Sequence, residues 1–448
     1  LAGIFKQYDV RGIYPSELNE AEAERIGNEF GRMTRAREIA VAGDSRLSTR
    51  SLKKAFAKGA TKAGCGIIDV GIVPTPFLYF AVAHYKRDAG AMITASHNPP
   101  QYNGVKLCGK GAECLTYESG IREIEERVRG EDFKAKTRGT TTKQDVLADY
   151  TDWVLGKARL RKKLIVVVDC GNGVCGTYAP EILRKAGCIV SELYCEPDGS
   201  FPNHAPDPTK DENVAELARV CRAHRADLGI AFDGDGDRVV FLDDRQRILR
   251  GDEALAIFAR DALPSNLGAK VVFDVKSSRA LPEVVTLYKG KPIMNRVGHS
   301  YTHERLLQEN ALLAGEVSGH FYFAENHGYD DGIFAALKMC ELVSRKGFLS
   351  GRLDSLPEHH ATPEMRVPCP PDKIASAIGS VKAAAKRDGL KIITLDGVRV
   401  EAQDWWGLVR ASNTEPLITM RMEGSTKQAL GEARRFFENA LESRGIVL

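Results

Sequence analysis

The sequence predicts an α/β protein of four domains, three of them alike and the last an α+β unit. Three observations predict it. A strand, loop, helix and strand pattern recurs three times along the chain. Its strands are continuous β-branched runs, which suit parallel sheets covered by helices on both faces. The final ninety or so residues abandon that pattern for antiparallel strand signals between two helical stretches.

In each copy a short apolar strand ends in Asp, and a small-residue loop and a helical segment lead to the next strand. The first copy is IAVAGDSR (39–46), then SLKKAFAKGATKAG and IIDVG. The second is LIVVVDCGNG (164–173), then APEILRKAG and IVSELY. The third is KVVFDVKSSR (270–279), then LPEVVTLYKG and PIMNRVG. Beyond VPCPPD (367–372), which reads as a proline-rich linker, comes the helical IASAIGSVKAAAKRDG. The strand-like KIITLDGVRVEA, WGLVRAS and LITMRMEG follow, and the amphipathic KQALGEARRFFENALESR closes the chain. Helices on one face of an antiparallel sheet are expected there. Domains are expected at residues 1–142, 143–250, 251–358 and 359–448.

Bulk properties narrow the function. At 448 residues the chain is too long for one hydrophobic core. A net charge of +3 and the lack of an arginine-rich stripe exclude a nucleic-acid partner. No apolar run approaches the ~20 residues of a membrane span. Lys6, Asp9 and Arg11 interrupt the stretch where a signal peptide is apolar, so a cytoplasmic location is expected. The start at Leu1 rather than Met is read as trimming. Ten scattered cysteines without a CxxC pair read as reduced thiols, Cys170 and Cys175 as small-residue packing beside a glycine loop.

Four loops carry polar groups in patterns suited to chemistry. In AMITASHNPPQYNGVK (91–106) an apolar strand runs into Ser96-His97-Asn98-Pro99-Pro100. A hydroxyl on a rigid turn, with His97 beside it and Lys106 downstream, suits a phosphoryl acceptor; a Pro-Asn turn with a capping Ser is the plainer reading. In ADLGIAFDGDGDR (226–238), Asp233, Asp235 and Asp237 alternate with glycines after a strand. Crowded carboxylates repel unless a cation neutralises them, and all-oxygen ligands select Mg²⁺ or Ca²⁺. An EF-hand fails because its sixth position is Arg238 and its twelfth Asp244, which leaves a solvated acidic turn as the alternative. In ALLAGEVSGHFYF (311–323), Glu316, Ser318 and His320 lie two apart, so an extended segment would face them one way, toward sugar hydroxyls or toward solvent. In GLVRASNTEP (407–416), Arg410, Ser412, Asn413 and Thr414 offer a phosphate cradle, or an ordinary Asn-Thr turn. Two phosphate sites flanking a sugar reader suit a mutase. A metal-dependent phosphatase gains nothing from the second cradle, and a non-catalytic binding protein needs neither Ser96 nor three aspartates.

Together these motifs resemble the α-D-phosphohexomutase superfamily, and within it the bacterial phosphomannomutase/phosphoglucomutase branch, from KQYDVRG to RASNTEP. The resemblance implies four domains around a central cleft. It implies that Ser96 of TASHNP carries the phosphate and that Asp233, Asp235 and Asp237 bind Mg²⁺ together with a phosphoserine oxygen. Arg238 would contact the sugar, and GEVSGH would be the sugar-specificity loop, with Val317 in place of Met and pointing away from the ligand. RASNTEP would be the distal phosphate loop, with Tyr8, Arg11, Lys106, Lys276 and His299 around the substrate. The implied reaction interconverts hexose 1- and 6-phosphates of glucose and mannose through a 1,6-bisphosphate, with His97 or His320 as acid/base. Small sugar phosphates are the expected partners, no nucleic acid or membrane, and a monomer is expected. The phosphoglucosamine mutases, with a GEQSGH-like loop, and the longer eukaryotic phosphoglucomutases fit less well.

Overall fold

A computed structural model describes residues 3–129, 139–412, 417–442 and 444–446. The recurring pattern folds each time into the same small sheet. In the first unit Glu38–Gly43 pairs in parallel with Gly66–Ile72 and Ala89–Ile93, and Ala89–Ile93 pairs antiparallel with Tyr102–Cys108. In the second, Ile165–Asp169 lies parallel to Ile189–Leu193 and Leu228–Phe232, and the latter turns back into Val239–Leu242. In the third, Lys270–Asp274 lies parallel to Lys291–Asn295 and Leu313–Gly315, which turns back into Phe321–Phe323. Each of these sets of strands thus first reverses direction after its third parallel strand. The loops bearing Ser96, the aspartate cluster and Glu316 all occupy that reversal, at the carboxyl end of a parallel strand where open α/β sheets bind ligands.

The Asp that ends each first strand has a local task. Asp44, Asp169 and Asp274 accept the main-chain N–H of the residue two further on, at 3.0, 2.8 and 2.8 Å. These bonds form Asx turns, which end the strand and aim the following loop.

The first three units share one apolar core. Its centre is the helix Thr75–His84, TPFLYFAVAH, which is apolar all round and therefore has no face to offer water. Phe77 packs tilted against Tyr150 and Tyr178, with ring centroids 4.1 and 5.0 Å apart, joining the first unit to the second. The helix Gly332–Lys346, capped by Asp331 through the Phe334 N–H at 2.8 Å, adds the third. Each fully buried aromatic contributes about 2–3 kcal/mol, so parting these units would be costly. No helix among the described residues is long and apolar enough to cross a membrane.

The fourth unit has its own core, built around Phe437, Met420 and Val400. Trp405–Ala411 and Leu417–Gly424 form the middle of an antiparallel sheet covered by the helices Pro371–Arg387 and Lys427–Glu442. Among the described residues, Val275, Trp406 and Leu408, flanked by the partly buried Met294 and Val297, form an apolar bridge to the third unit. The VPCPPD segment is not a linker. Met365–Pro368 pairs with Leu417–Gly424, and Pro371 opens a helix. A proline at the end of an edge strand, or in a first helical turn, gives up no hydrogen bond it needs. The passage between units lies earlier, at residues 354–359. The strand Thr141–Lys143 pairs with Gly66–Ile72 and so straddles the expected first edge at 142.

Candidate active site

A cleft of about 1300 Å³ between the four units is lined by Tyr8, Arg11, Ser96, His97, Lys106 and Arg238 on one side. Lys276, His299, Glu316, Ser318, His320, Arg410 and Ser412 line the other. Ser96 follows the strand Ala89–Ile93 in a left-handed conformation, φ 50°. Its Oγ donates to Asp233 Oδ2 at 2.7 Å and lies 3.1 Å from His97 Nδ1. The approach of the two loops demands glycine: a Cβ on Gly234 would stand 2.5 Å from the Ser96 carbonyl oxygen.

Asp233, Asp235 and Asp237 are fully buried and offer oxygens within 4.8 Å of one another. Asp233 Oδ1 accepts the Gly236 and Arg238 N–H groups at 2.9 and 3.2 Å, which folds the loop around it. Lys106 donates to Asp235 Oδ2 at 2.7 Å and to Asp237 Oδ2. Burial and then the charges of Asp237 and Asp235 push the Asp233 carboxyl well above its usual range. Burial also opposes charge on Asp237, but Lys106, His320 and Arg238 outweigh it and hold that carboxyl low. Lys106 and Arg238 together thus leave three carboxylates one positive charge short. Asp235 Oδ1 and Asp237 Oδ1 are buried without a hydrogen-bond partner among the described residues. All-oxygen donors with two orphaned oxygens fit Mg²⁺.

Cations and imidazoles surround this cluster. Arg11 donates to Asn98 Oδ1 at 2.6 Å and pairs with Asp9, bracing the Ser96 loop from the first strand. Arg238 Nε donates to His320 Nε2 at 2.9 Å, while His320 Nδ1 faces Asp330 Oδ2 at 2.7 Å. Because a guanidinium only donates, Nε2 is the acceptor and the ring proton sits on Nδ1. Burial, then Arg238 and Arg11, holds His97 well below the usual histidine range. Burial, then His320 and Lys106, does the same for His299, which meets the Tyr8 ring edge-on at 5.1 Å.

The GEVSGH segment corrects the expectation of an extended row. Residues 316–319 form a turn closed by the Gly319 N–H to Glu316 O bond at 3.0 Å, with Gly319 at φ +90°. The strand cannot continue because the chain must reverse into Phe321–Phe323. Glu316 is buried and held by Gly298 N–H at 3.1 Å, Thr302 Oγ1 at 2.6 Å and Ser318 Oγ at 3.0 Å. Val317 is among the cleft-lining residues rather than wholly turned away. Lys276 reaches Glu364 of the fourth unit at 3.2 Å. Arg410 Nε lies 3.0 Å from Asp396. Asn413 and Thr414 lie outside the described residues.

Sequence reasoning missed Asp330, Glu364, Asp396 and the pair Asp44 and Arg46. The strand-ending Asp was the visible signal for Asp44. Nothing local marks the others, which become neighbours only through folding.

This fold and cleft define a class: a four-unit α/β enzyme whose buried serine hydroxyl and carboxylate cluster come from different units. Four family models match the chain in order, described as phosphoglucomutase/phosphomannomutase, alpha/beta/alpha domains I, II and III and C-terminal domain. They cover residues 2–135, 148–246, 250–360 and 364–440. The chain belongs to the phosphoglucomutase/phosphomannomutase family, and it is a hexose-phosphate mutase, an isomerase. It is 41% identical to the phosphomannomutase/phosphoglucomutase of Pseudomonas aeruginosa PAO1, over 99% of this chain and 96% of that protein. It is 39% identical to the phosphoglucomutase of Neisseria gonorrhoeae, over 98% and 97% of the two chains. The crystal structure of a family protein from Burkholderia thailandensis superposes with a TM-score of 0.92 at 36% identity, covering 99% of this chain and 97% of that one. The α/β architecture and the family expected from the motifs are both borne out.

Proposed function

We propose that the cleft interconverts the 1- and 6-phosphates of glucose and mannose, with Ser96 as phosphoryl carrier and Asp233, Asp235 and Asp237 holding Mg²⁺. The observation that carries this reading is the 2.7 Å bond from Ser96 Oγ to Asp233, which joins the acceptor loop of one unit to the carboxylate cluster of the next. When bound, the cation neutralises charge on the transferring phosphoryl group. Lys106 and Arg11 offer fixed positive charge beside the same oxygens, preorganised by burial. The sugar's own phosphate would lie against Arg410, Ser412, Asn413 and Thr414, with Lys276 and Tyr8 at its flanks. Glu316 and Ser318 would take the 3- and 4-hydroxyls and so leave the 2-position unread. His97, whose Nδ1 lies 3.1 Å from Ser96 Oγ, is the imidazole placed to exchange a proton at the transfer site, while His320, fixed between Arg238 at Nε2 and Asp330 at Nδ1, orients the Arg238 guanidinium toward the sugar. Phosphate passes from Ser96 to the sugar, giving a 1,6-bisphosphate. After a half-turn of that intermediate, the other phosphate returns to Ser96.

The test is steady-state kcat/KM on glucose, mannose and galactose 1-phosphates, with Ser96→Ala in parallel and a 1,6-bisphosphate supplied. Glucose and mannose should differ by less than about tenfold, because no buried polar group is left unpaired by either. Galactose, epimeric at C4, should be poor. Wild-type turnover by Ser96→Ala would sink the carrier assignment, and good use of galactose would sink the hydroxyl assignment.

A further inference from the structure

One guanidinium holds the whole acceptor loop. The Arg46 side chain is completely buried, and each of its five N–H groups has an acceptor. Nε donates to Asp44 Oδ2 at 3.2 Å. Nη1 donates to the Pro99 and Tyr102 carbonyls at 2.8 and 3.0 Å, and Nη2 to the Ser96 and Asn98 carbonyls at 2.8 and 2.6 Å. Four of the five acceptors are therefore main-chain oxygens of the segment that begins at Ser96. Asp44 reaches the other side of the same residue. It accepts from Thr94 Oγ1 at 2.7 Å, and Thr94 Oγ1 accepts the Ser96 N–H at 2.9 Å. Both main-chain polar groups of Ser96 are thus tied to one buried ion pair.

The tie matters because Ser96 is not in a relaxed conformation. A serine at φ 50° stays there only where its surroundings impose it. In that conformation Oγ points at Asp233; without it the hydroxyl would swing away from the carboxylates. The clamp also spans two units. Phe201, from the second unit, covers the guanidinium at 5.0 Å, and a Cβ on the nearby Gly199 would lie 2.5 Å from the Ser45 carbonyl oxygen. The second unit also carries the aspartates, so one contact registers the acceptor against the metal ligands.

We infer that Arg46, with Asp44 and Thr94, is the positioning residue of the phosphoryl acceptor: it sets the Ser96 main chain so that Oγ meets the carboxylate cluster. This rests on the reading of Ser96 as the carrier. Lysine keeps the charge opposite Asp44 but has three donors on a rotating ammonium, and cannot reproduce a planar five-donor fork. A buried arginine that served the fold alone would lower stability and the yield of folded protein, leaving each folded molecule fully active.

The experiment compares Arg46→Lys, Thr94→Val and Ser96→Ala with the wild type. Turnover of glucose 1-phosphate with its 1,6-bisphosphate is measured beside thermal unfolding and calorimetric binding of glucose 1-phosphate. Arg46→Lys should bind one sugar phosphate per chain and keep KM within about threefold, while kcat falls by about 100-fold or more. A folded Arg46→Lys at wild-type kcat, beside an inactive Ser96→Ala, overturns the positioning role and leaves the carrier reading standing. An active Ser96→Ala overturns both. Should Arg46→Lys not fold, Thr94→Val decides, since it changes no charge: a kcat-selective loss supports the clamp and wild-type turnover overturns it.

Discussion

His303 shows how a residue with no part in the chemistry sets a limit on the protein. It lies in the helix His299–Glu309, 1% exposed, with neither ring nitrogen bonded among the described residues. Burial alone pulls its imidazole from 6.5 down to about 4. Between those values the unfolded chain binds a proton that the folded chain refuses. The associated stability is therefore complete above pH 6.5 and is lost as pH falls toward 4. At pH 5 the loss is about 2 kcal/mol. Denaturant titrations of wild type and His303→Leu at pH 5 and 7 check this, with the variant expected to lose less on acidification. Equal losses would show that acid acts elsewhere. The cleft loops were legible at this same scale because their residues are neighbours in sequence. His303 was not, since nothing about a lone histidine tells whether a partner waits across the fold.

Among the elements, the repeated strand-ending Asp is the most informative. Asp44, Asp169 and Asp274 make the same turn but serve different loops. Asp169 also faces His204 at 3.2 Å, away from the cleft. Asp274 instead accepts the N–H groups of both Lys276 and Val317, at 2.8 and 2.9 Å, and so joins two cleft loops. Replacing Asp274 with Ala should orphan both donors and cost about 2–4 kcal/mol. It should also raise KM for glucose 1-phosphate about tenfold, because Lys276 and the Glu316 turn lose their common anchor. Asp169→Ala should destabilise without moving KM. Unfolding curves and steady-state kinetics of the pair test this, and a matching KM change in both would deny the distinction. The repeat was plain in the sequence as a pattern of residue types. Its conversion of 316–320 from extended chain to turn was not, because the reversal is imposed by pairing with Phe321–Phe323.

For the whole molecule, the separate core of the fourth unit makes it the part least costly to move. Reciprocal arginines hold it. Arg279 of the third unit donates to the Gln403, Ala402 and Trp405 carbonyls at 2.7, 3.0 and 3.3 Å. Arg399 of the fourth donates to the Val275 and Ser277 carbonyls at 2.7 and 3.2 Å, on either side of Lys276. The proposed half-turn of a bisphosphate inside the cleft requires this unit to open and close. Small-angle scattering should show compaction when glucose 1-phosphate binds. The double variant Arg279→Ala and Arg399→Ala should be more expanded without ligand and have a KM raised about tenfold. Superimposable profiles for both proteins, with and without ligand, would mean that the cleft is rigid.

By itself the sequence determined the three repeated α/β units, the α+β ending, the family and the identity of the cleft loops. It could do so because strand periodicity, Asp-Gly turns and loop motifs are written in adjacent residues. Tertiary structure alone decided which loops meet. It set Ser96 against Asp233 across two units, turned Glu316 inward, gave His320 its Asp330 and closed Arg46 over the Ser96 loop. It also made the prolines at 368–371 part of a strand and a helix rather than a linker, since Leu417–Gly424 supplies the pairing partner. These are contacts between residues far apart in the chain, and burial sets their strength. A local pattern records neither.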